Sequence, residues 1–479
     1  MERSVEELLS AHAMRFPGSV ATLAAPGDGR LISGVTHDSR RVGPGDLFVC
    51  VRGSNLDGHR YAVAAAANGA VAVLVDHQIV GLDVNVAQIV VPDTRAAMAQ
   101  IAAAVFGFPG DRLRLVGITG TNGKTTTAHM VESICVAAGI AVAVIGTLTQ
   151  KRTTPEATDV QERLAEFVAD GIEVAVLEVT SHALELHRVL GLHFEVVVFT
   201  NLSQDHLDFH GTIEAYFRAK ARLFTSEFAD RAIVNTDDSH GRLLRDSAIL
   251  PTEAVALSDA LGLELAPDHS TFRWDNEAFS VPLAGPFNAM NALQAAKVGT
   301  TLGIPTSVVA RGIAAVKVPG RFERVEAGQP FAVIVDFAHT PDGLERVLQS
   351  ARNTLGAGQK LISCFGCGGD RDSGKRPQMA SIGEVLSDVL VLTSDNPRSE
   401  SAHAILDQMV SGLSKPESAI IEPDRRAAIA RAVASAVAGD VVVVAGKGHE
   451  QGQEVKGVTT PFDDRIVVAE TLRDLGWTK

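Results

Sequence analysis

The chain has 479 residues, 46% of them hydrophobic and 21% charged. That is the balance of a soluble globular protein too long for one core, and ordinary domain sizes suggest about three domains. A formal charge of -14 with no basic tract argues against nucleic acid as the main partner, and no apolar run approaches the ~20 residues of a membrane span. The first ten residues, MERSVEELLS, carry acids where a secretory signal has basic residues and then a long apolar stretch, so the protein is expected in the cytoplasm.

Residues 1–105 are rich in Ala, Val and Gly, with short strands at Asp46–Val51 and Ala70–Val75 and a helix at Tyr61–Ala67, the pattern of a small α/β domain. Within it, His37 to Tyr61 is dense in hydroxyl, amide and basic groups around one strand. The stretch reads either as two polar loops or as a surface for a ligand bearing sugar and phosphate.

Residues 106–322 alternate strand and helix, the pattern of a mostly parallel sheet covered on both faces. The apolar run Leu113–Ile118 reads as a buried strand, and Ala128–Ala138 reads as a helix. Between them lies the glycine loop of GITGTNGKTTT, Gly117 to Thr127. Strand, glycine loop, helix is the context of a phosphate site. Gly120 and Gly123 let the amides of Thr121, Asn122 and their neighbours approach phosphate oxygens, and the helix N-terminus adds positive potential. Lys124 reaches the outer phosphates, Thr125 can ligate magnesium, and Thr126 continues the loop. The spacing is a shorter variant of the common motif, and it predicts a nucleoside triphosphate site.

Further strands are expected at Ala141–Ile145, Glu173–Val179, Glu195–Thr200 and Ala232–Asn235, with ligands beyond their carboxyl ends. Glu178 closes one of them, as a metal ligand or as a core-edge acid beside a helix cap. The loop TNLSQDHLDFHG, 200–211, gathers Asp205, His206, Asp208 and His210. Asn288 and Asn291 stand three apart at a helix start, to touch a nucleotide or simply to cap. VPGRFERV, 318–325, reads as a hinge.

Residues 323–479 repeat the strand-helix series, with strands at Ala332–Phe337, Leu361–Phe365, Val389–Thr393, Ala419–Ile421 and Val441–Ala445. The polar loops DFAHTPD, GCGGDRDSGKRP, TSDNPRSE, EPDRR and GKGHEQG follow them and form one wall of a cleft. The four cysteines, at 50, 135, 364 and 367, make no disulfide framework. Cys364 and Cys367 cannot complete a zinc site alone and read as structural thiols in a strand-to-loop turn.

The chain resembles the Mur ligases of bacterial cell-wall synthesis over essentially its whole length. Ten motifs carry the likeness in family order: DSRRVGPGDLF, GTNGKTTT, EVTSHAL, QDHLDFHG, GPFN, GRFE, DFAHTPD, GCGGDRD, DNPR and GKGHE. The resemblance implies three α/β domains: 1–105 for a UDP-sugar, 106–322 for ATP on a P-loop sheet, and 323–479, Rossmann-like, for an amino acid. It implies an ATP- and magnesium-dependent ligase, acting as a monomer, that joins meso-diaminopimelate to UDP-MurNAc-L-Ala-D-Glu through an acyl phosphate. Lys124, Glu178, His206 and Lys220 would be the catalytic set, with Thr125, Glu178 and His206 as metal ligands and Lys220 carbamylated to engage a second metal. From its residues alone Lys220 is an ordinary helix lysine.

Asn288, Asn291, Arg321, Asp336 and His339 match nucleotide-contacting and domain-bridging positions. His37, Ser39, Ser54, Asn55 and Leu56 match UDP contacts, and Arg152, Thr153, Thr154, Thr180 and Arg188 those of the muramoyl-dipeptide. Arg152 stands where some members carry Asn, and Thr180 where Ser is common. Arg371, Asp395, Asn396, Pro397, Arg398, Gly446 and Glu450 match the diaminopimelate site.

Arg398 offers a planar fork for the distal carboxylate, and Asp395 can receive the adjacent ammonium. A lysine-adding ligase is disfavoured by that arginine, and a folylpolyglutamate synthase by residues 1–105. From another class, a kinase or a regulatory ATP-binding module would also use the phosphate loop. A kinase phosphorylates its acceptor stably, whereas a ligase releases phosphate.

Overall fold

The computed structural model describes residues 2–53, 56–266 and 268–478. Three sheets follow one another along the chain. The first has five strands in the order Thr22–Ala25, Ala87–Val90, Ala72–Val75, Asp46–Val49, Gly34–Thr36, parallel except for the edge strand Thr22–Ala25.

The central sheet has six parallel strands in the order Thr252–Val255, Ala232–Asn235, Val196–Phe199, Arg114–Thr119, Val174–Glu178, Val142–Ile145. Every residue of Val174–Glu178 and Val196–Phe199 is buried, because helices cover both faces, and so these strands read as unbroken apolar runs. Helix Lys124–Ala137 packs on helices Pro286–Thr301 and Thr306–Ala314. The last sheet runs Glu323–Arg324, Ala332–Asp336, Val441–Ala445, Leu361–Phe365, Val389–Leu392, Ile420–Ile421, antiparallel only at its first strand. The mixed α/β class expected from the alternating pattern is thus observed.

Strand boundaries differ by a residue or two. The strand expected at Leu113–Ile118 is Arg114–Thr119, and the one expected at Asp46–Val51 ends at Val49. The helix expected from Ala128 begins four residues earlier, at Lys124. Gly123 has φ +86, so the chain turns sharply there and the helix opens on the lysine itself. An unforeseen antiparallel meander, Leu261–Leu265, Ser270–Trp274 and Glu277–Val281, packs its Phe272 and Phe279 rings 5.2 Å apart against the helix side of the central core. A two-stranded hairpin, Gly452–Val455 with Val458–Pro461, projects after the last sheet's final long strand.

Both thiols of the C-x-x-C are free and fully buried, and burial pushes each up to about 12. They are packing groups, as expected. Parallel strands deliver their following loops to one end of a sheet. The loops after Thr119, Glu178 and Phe199 face those after Asp336, Phe365, Leu392 and Ala445 across one cavity.

Candidate functional site

The cavity has a volume of about 380 Å³. From the central sheet it is lined by Thr121 to Thr126, Thr153, Glu178, Thr180, His206, Asn288 and Asn291. Arg321, Asp336 and His339 line it from the connection and the first loop of the last sheet, and Arg371, Asp395, Asn396, Arg398, Gly446 and Glu450 from the remaining loops.

Gly120, at φ +148, has no room for a Cβ, which would collide with Thr200 Oγ1, and a Cβ on Gly123 would strike Asn291. The loop therefore needs glycine at both positions for contact as well as for conformation. Lys124 Nζ donates to the Gly120 carbonyl at 2.9 Å and the Thr121 carbonyl at 2.8 Å. Burial lowers its pKa, while Glu178 and Asp205 oppose that shift. The ammonium is held over the loop by acceptors that phosphate oxygens can replace.

Glu178 is 0% exposed. Among the described residues its carboxylate accepts only from neutral donors: Thr125 Oγ1 at 2.9 Å, Thr147 N at 2.7 Å and Thr147 Oγ1 at 3.1 Å. A buried carboxylate hydrogen-bonded by neutral donors, near the Lys124 and Arg321 cations and touching the P-loop hydroxyl, offers an oxygen ligand to a divalent ion. Arg321 Nη2 donates to Thr125 Oγ1 at 3.1 Å and the guanidinium lies 4.3 Å from the Phe337 ring centroid, so the expected hinge residue bridges the two walls. Asn122 Nδ2 makes a second bridge, to Asp342 Oδ2 at 2.8 Å.

His206 has φ +54 and its Nε2 stands 3.4 Å from Asp205 Oδ2; burial lowers the imidazole's pKa, and the Asp205 carboxylate opposes that shift. Burial pushes Asp205 up, but His206, His339 and Lys375 outweigh this and hold its carboxyl below the usual range. Asn288 does not cap: it donates to the Ala284 carbonyl at 2.8 Å, and Asn291 donates to Asn288 at 3.3 Å.

Lys220 is not an ordinary helix lysine. It is 1% exposed, with Nζ 2.9 Å from the Gly120 carbonyl and 4.6 Å from the Tyr216 ring centroid. Burial and then Lys124 set its pKa well below the usual lysine value. It lies behind the phosphate loop, outside the cavity lining.

On the opposite wall Arg398 sits at φ +53, uncommon for a non-glycine residue. The hairpin holds it there: Arg398 N donates to the Glu454 carbonyl at 3.0 Å, and Lys456 N donates to the Arg398 carbonyl at 2.6 Å. Arg398 Nη1 donates to the Gly369 carbonyl at 2.6 Å. Asn396 is fixed by Lys447, Glu450 and Glu454 N, with contacts of 2.8 to 3.0 Å. Beneath them the fully buried Arg425, paired with Asp464 at 2.7 Å, donates to the carbonyls of Ser394 and Ala445, which precede Asp395 and Gly446.

Other expected contacts lie elsewhere. Pro397 is outside the cavity lining. His37 and Arg152 line a second cleft of about 660 Å³ between the first and central sheets. Thr154 donates to the Glu178 carbonyl at 2.7 Å, and Arg188 pairs with Glu156 at 2.7 Å, so both brace the cavity from behind. Ser39 lines neither cleft, Leu56 is exposed, and Ser54 and Asn55 lie outside the described residues. The sequence reading missed Thr147, Lys375 and Lys447; nothing in a lone Thr or Lys marks it as buried beside a distant partner. His59, Asp76 and His77 come together on the first sheet, but the contacts of His59 to Asp57 and Asp76 N satisfy that ring without a metal.

Sequence models of the Mur ligase family match residues 31–106 (catalytic domain), 118–299 (middle domain) and 320–448 (glutamate ligase domain). The chain belongs to the Mur ligase family. Among curated Mur ligases it is 45% identical over 468 residues to the UDP-N-acetylmuramoyl-L-alanyl-D-glutamate--2,6-diaminopimelate ligase of Syntrophomonas wolfei, covering 93% of this chain and 95% of that one. A solved structure of a ligase with that same name matches at a TM-score of 0.67 and 31% identity, over 100% of both chains. The fold is also similar to the MurF ligase of Thermotoga maritima in complex with ADP, at a TM-score of 0.63 and 20% identity, over 92% of this chain and 96% of that one.

Proposed function

We propose that this Mur ligase uses ATP to join meso-diaminopimelate to UDP-MurNAc-L-Ala-D-Glu, a step of peptidoglycan precursor synthesis, as a cytoplasmic monomer. Residues 1–105 would bind the UDP-sugar, 106–322 ATP and 323–479 the incoming amino acid. The observation that carries this reading is that Asp395 and Arg398 share one cavity with Lys124 and Thr125. A carboxylate-selecting guanidinium and a phosphate-binding loop thus face the same space.

In this reaction the acceptor carboxylate attacks the γ-phosphorus and ADP leaves. The amine then attacks the acyl carbon, phosphate leaves and the amine sheds a proton. Lys124 and the loop amides offset charge on the transferred group. Asp395 takes the ammonium and Arg398 the carboxylate at the distal end of diaminopimelate, which fixes the reacting amine in line with the acyl carbon. Lysine lacks that carboxylate and would leave the guanidinium with only the Gly369 carbonyl at 2.6 Å and the Glu454 carboxylate at 3.7 Å.

Thr125, Glu178 and His206 would hold magnesium, which supplies charge neutralisation between phosphate and carboxylate when bound. The Glu178 carboxylate, in contact with the Thr125 hydroxyl, and the His206 ring, both on the cavity wall, fit that ion. The depressed pKa of Lys220 supports its carbamylation, since only a neutral amine adds carbon dioxide.

The reading is tested by trapping. With ATP, magnesium and the UDP-dipeptide, hydroxylamine in place of the amine should yield a hydroxamate and free phosphate in equal amounts. Stable phosphorylation of the acceptor, with no hydroxamate, would mark a kinase instead.

A further inference from the structure

Lys375 begins the helix Lys375–Leu386 and lines the cavity at 8% exposure. The other lysines at this site all have acceptors. Lys124 has two loop carbonyls, Lys220 has the Gly120 carbonyl, and Lys447 has Asn396 and Glu450. Its sequence neighbour Arg376 is bound by Glu400 at 2.8 Å and Gln408 at 2.7 Å. Among the described residues no acceptor stands within hydrogen-bonding distance of the Lys375 ammonium, and no ion pair reaches it. Neither is that nitrogen among the sealed unpartnered polar atoms, so it meets the open cavity.

An ammonium that meets a cavity with no protein acceptor has its hydrogen-bonding capacity free for a ligand anion bound there. Its electrostatic surroundings say which ligand. Asp205 feels both Lys124 and Lys375, so its carboxylate stands near an ammonium from the phosphate loop and one from the last sheet. Lys375 also acts on His339, which lines the cavity from the first loop of the last sheet. An anion that starts at the phosphate loop and finishes at the acyl carbon passes between these two cations.

We propose that Lys375 is a catalytic residue of the phosphoryl transfer, its ammonium binding a non-bridging oxygen of the transferred group on the face opposite Lys124. This rests on the ligase reading given above. An acceptor oxygen bonds to the γ-phosphorus while its bond to the β,γ-bridging oxygen breaks, and that electron pair stays on ADP. The amine nitrogen later bonds to the acyl carbon, and the carbon–oxygen electron pair leaves with phosphate. Lys375 exchanges no proton; it offsets charge in both steps.

The test compares the full-length wild type with Lys375→Met and Lys375→Arg. For the Met variant kcat should fall roughly 10²- to 10³-fold, the scale of one transition-state donor, with the KM for diaminopimelate changed less than about threefold. Affinity for the non-hydrolysable analogue AMPPNP should fall about tenfold and that for ADP stay unchanged, and Arg should restore part of both. Wild-type kcat in the Met variant, a loss confined to the KM of the amine, or equal losses for AMPPNP and ADP would each overturn the role. Should the wild type not ligate diaminopimelate while the AMPPNP difference persists, the substrate assignment fails and Lys375 stands.

Discussion

The two walls of the cavity are built differently. On the phosphate side the grip is local: Lys124 folds onto the carbonyls of Gly120 and Thr121, three and four residues away. On the amino-acid side it is assembled from afar. Arg398 is held by Gly369, Glu454 and Lys456, and Asn396 by Lys447 and Glu450, 51 and 54 residues on. A local loop carries its geometry wherever the sequence occurs, which suits a reaction step shared by many acceptors. An assembled wall can change one side chain without disturbing the phosphate chemistry, which suits selection of the amine.

The comparison breaks hardest at Lys124. Lys124→Ala should lower kcat by roughly 10³-fold or more for any amine, as expected when a phosphoryl-stabilising cation is lost, and steady-state phosphate release measures it. If the loss depended on the amine, the two walls would not be separable.

Arg398→Lys should act on one wall only. kcat/KM for diaminopimelate should drop roughly 10²-fold, the scale of losing a bidentate charged contact, while UDP-dipeptide affinity by calorimetry stays near wild type. Equal activity of the two proteins would refute the assigned role.

A smaller effect sharpens the picture. Gln453 Nε2 donates to the Asp395 carbonyl at 2.7 Å from the hairpin. Gln453→Ala should raise the KM for diaminopimelate about fivefold, the scale of one hydrogen bond, and leave the KM for ATP alone. A matching rise in the KM for ATP would show that the hairpin serves both walls.

This asymmetry also explains what the sequence let one read. The P-loop and most strands of the central and last sheets were legible because their signals are contiguous: an apolar run, a glycine turn, a helix. The loop motifs converge on one cavity, whose lining Asp395, Asn396 and Arg398 share with Lys124. Burial of polar residues was not legible. Lys220 in YFRAKARLF and Lys375 in GKRP look like solvated lysines until tertiary packing encloses them. The meander 261–281 was missed because its first strand is largely exposed and its period is short. The hairpin's hold on Arg398 depends on a pairing some 57 residues long, Arg398 with Val455, that no local pattern encodes.

The most direct measurement is phosphate release with ATP, magnesium and UDP-MurNAc-L-Ala-D-Glu, run side by side with meso-diaminopimelate and with L-lysine. The structure predicts turnover that requires the amine and a kcat/KM for diaminopimelate higher by roughly 10²-fold or more, since the guanidinium of Arg398 is met only by the former. Equal rates with both amines, or faster turnover with lysine, would contradict it.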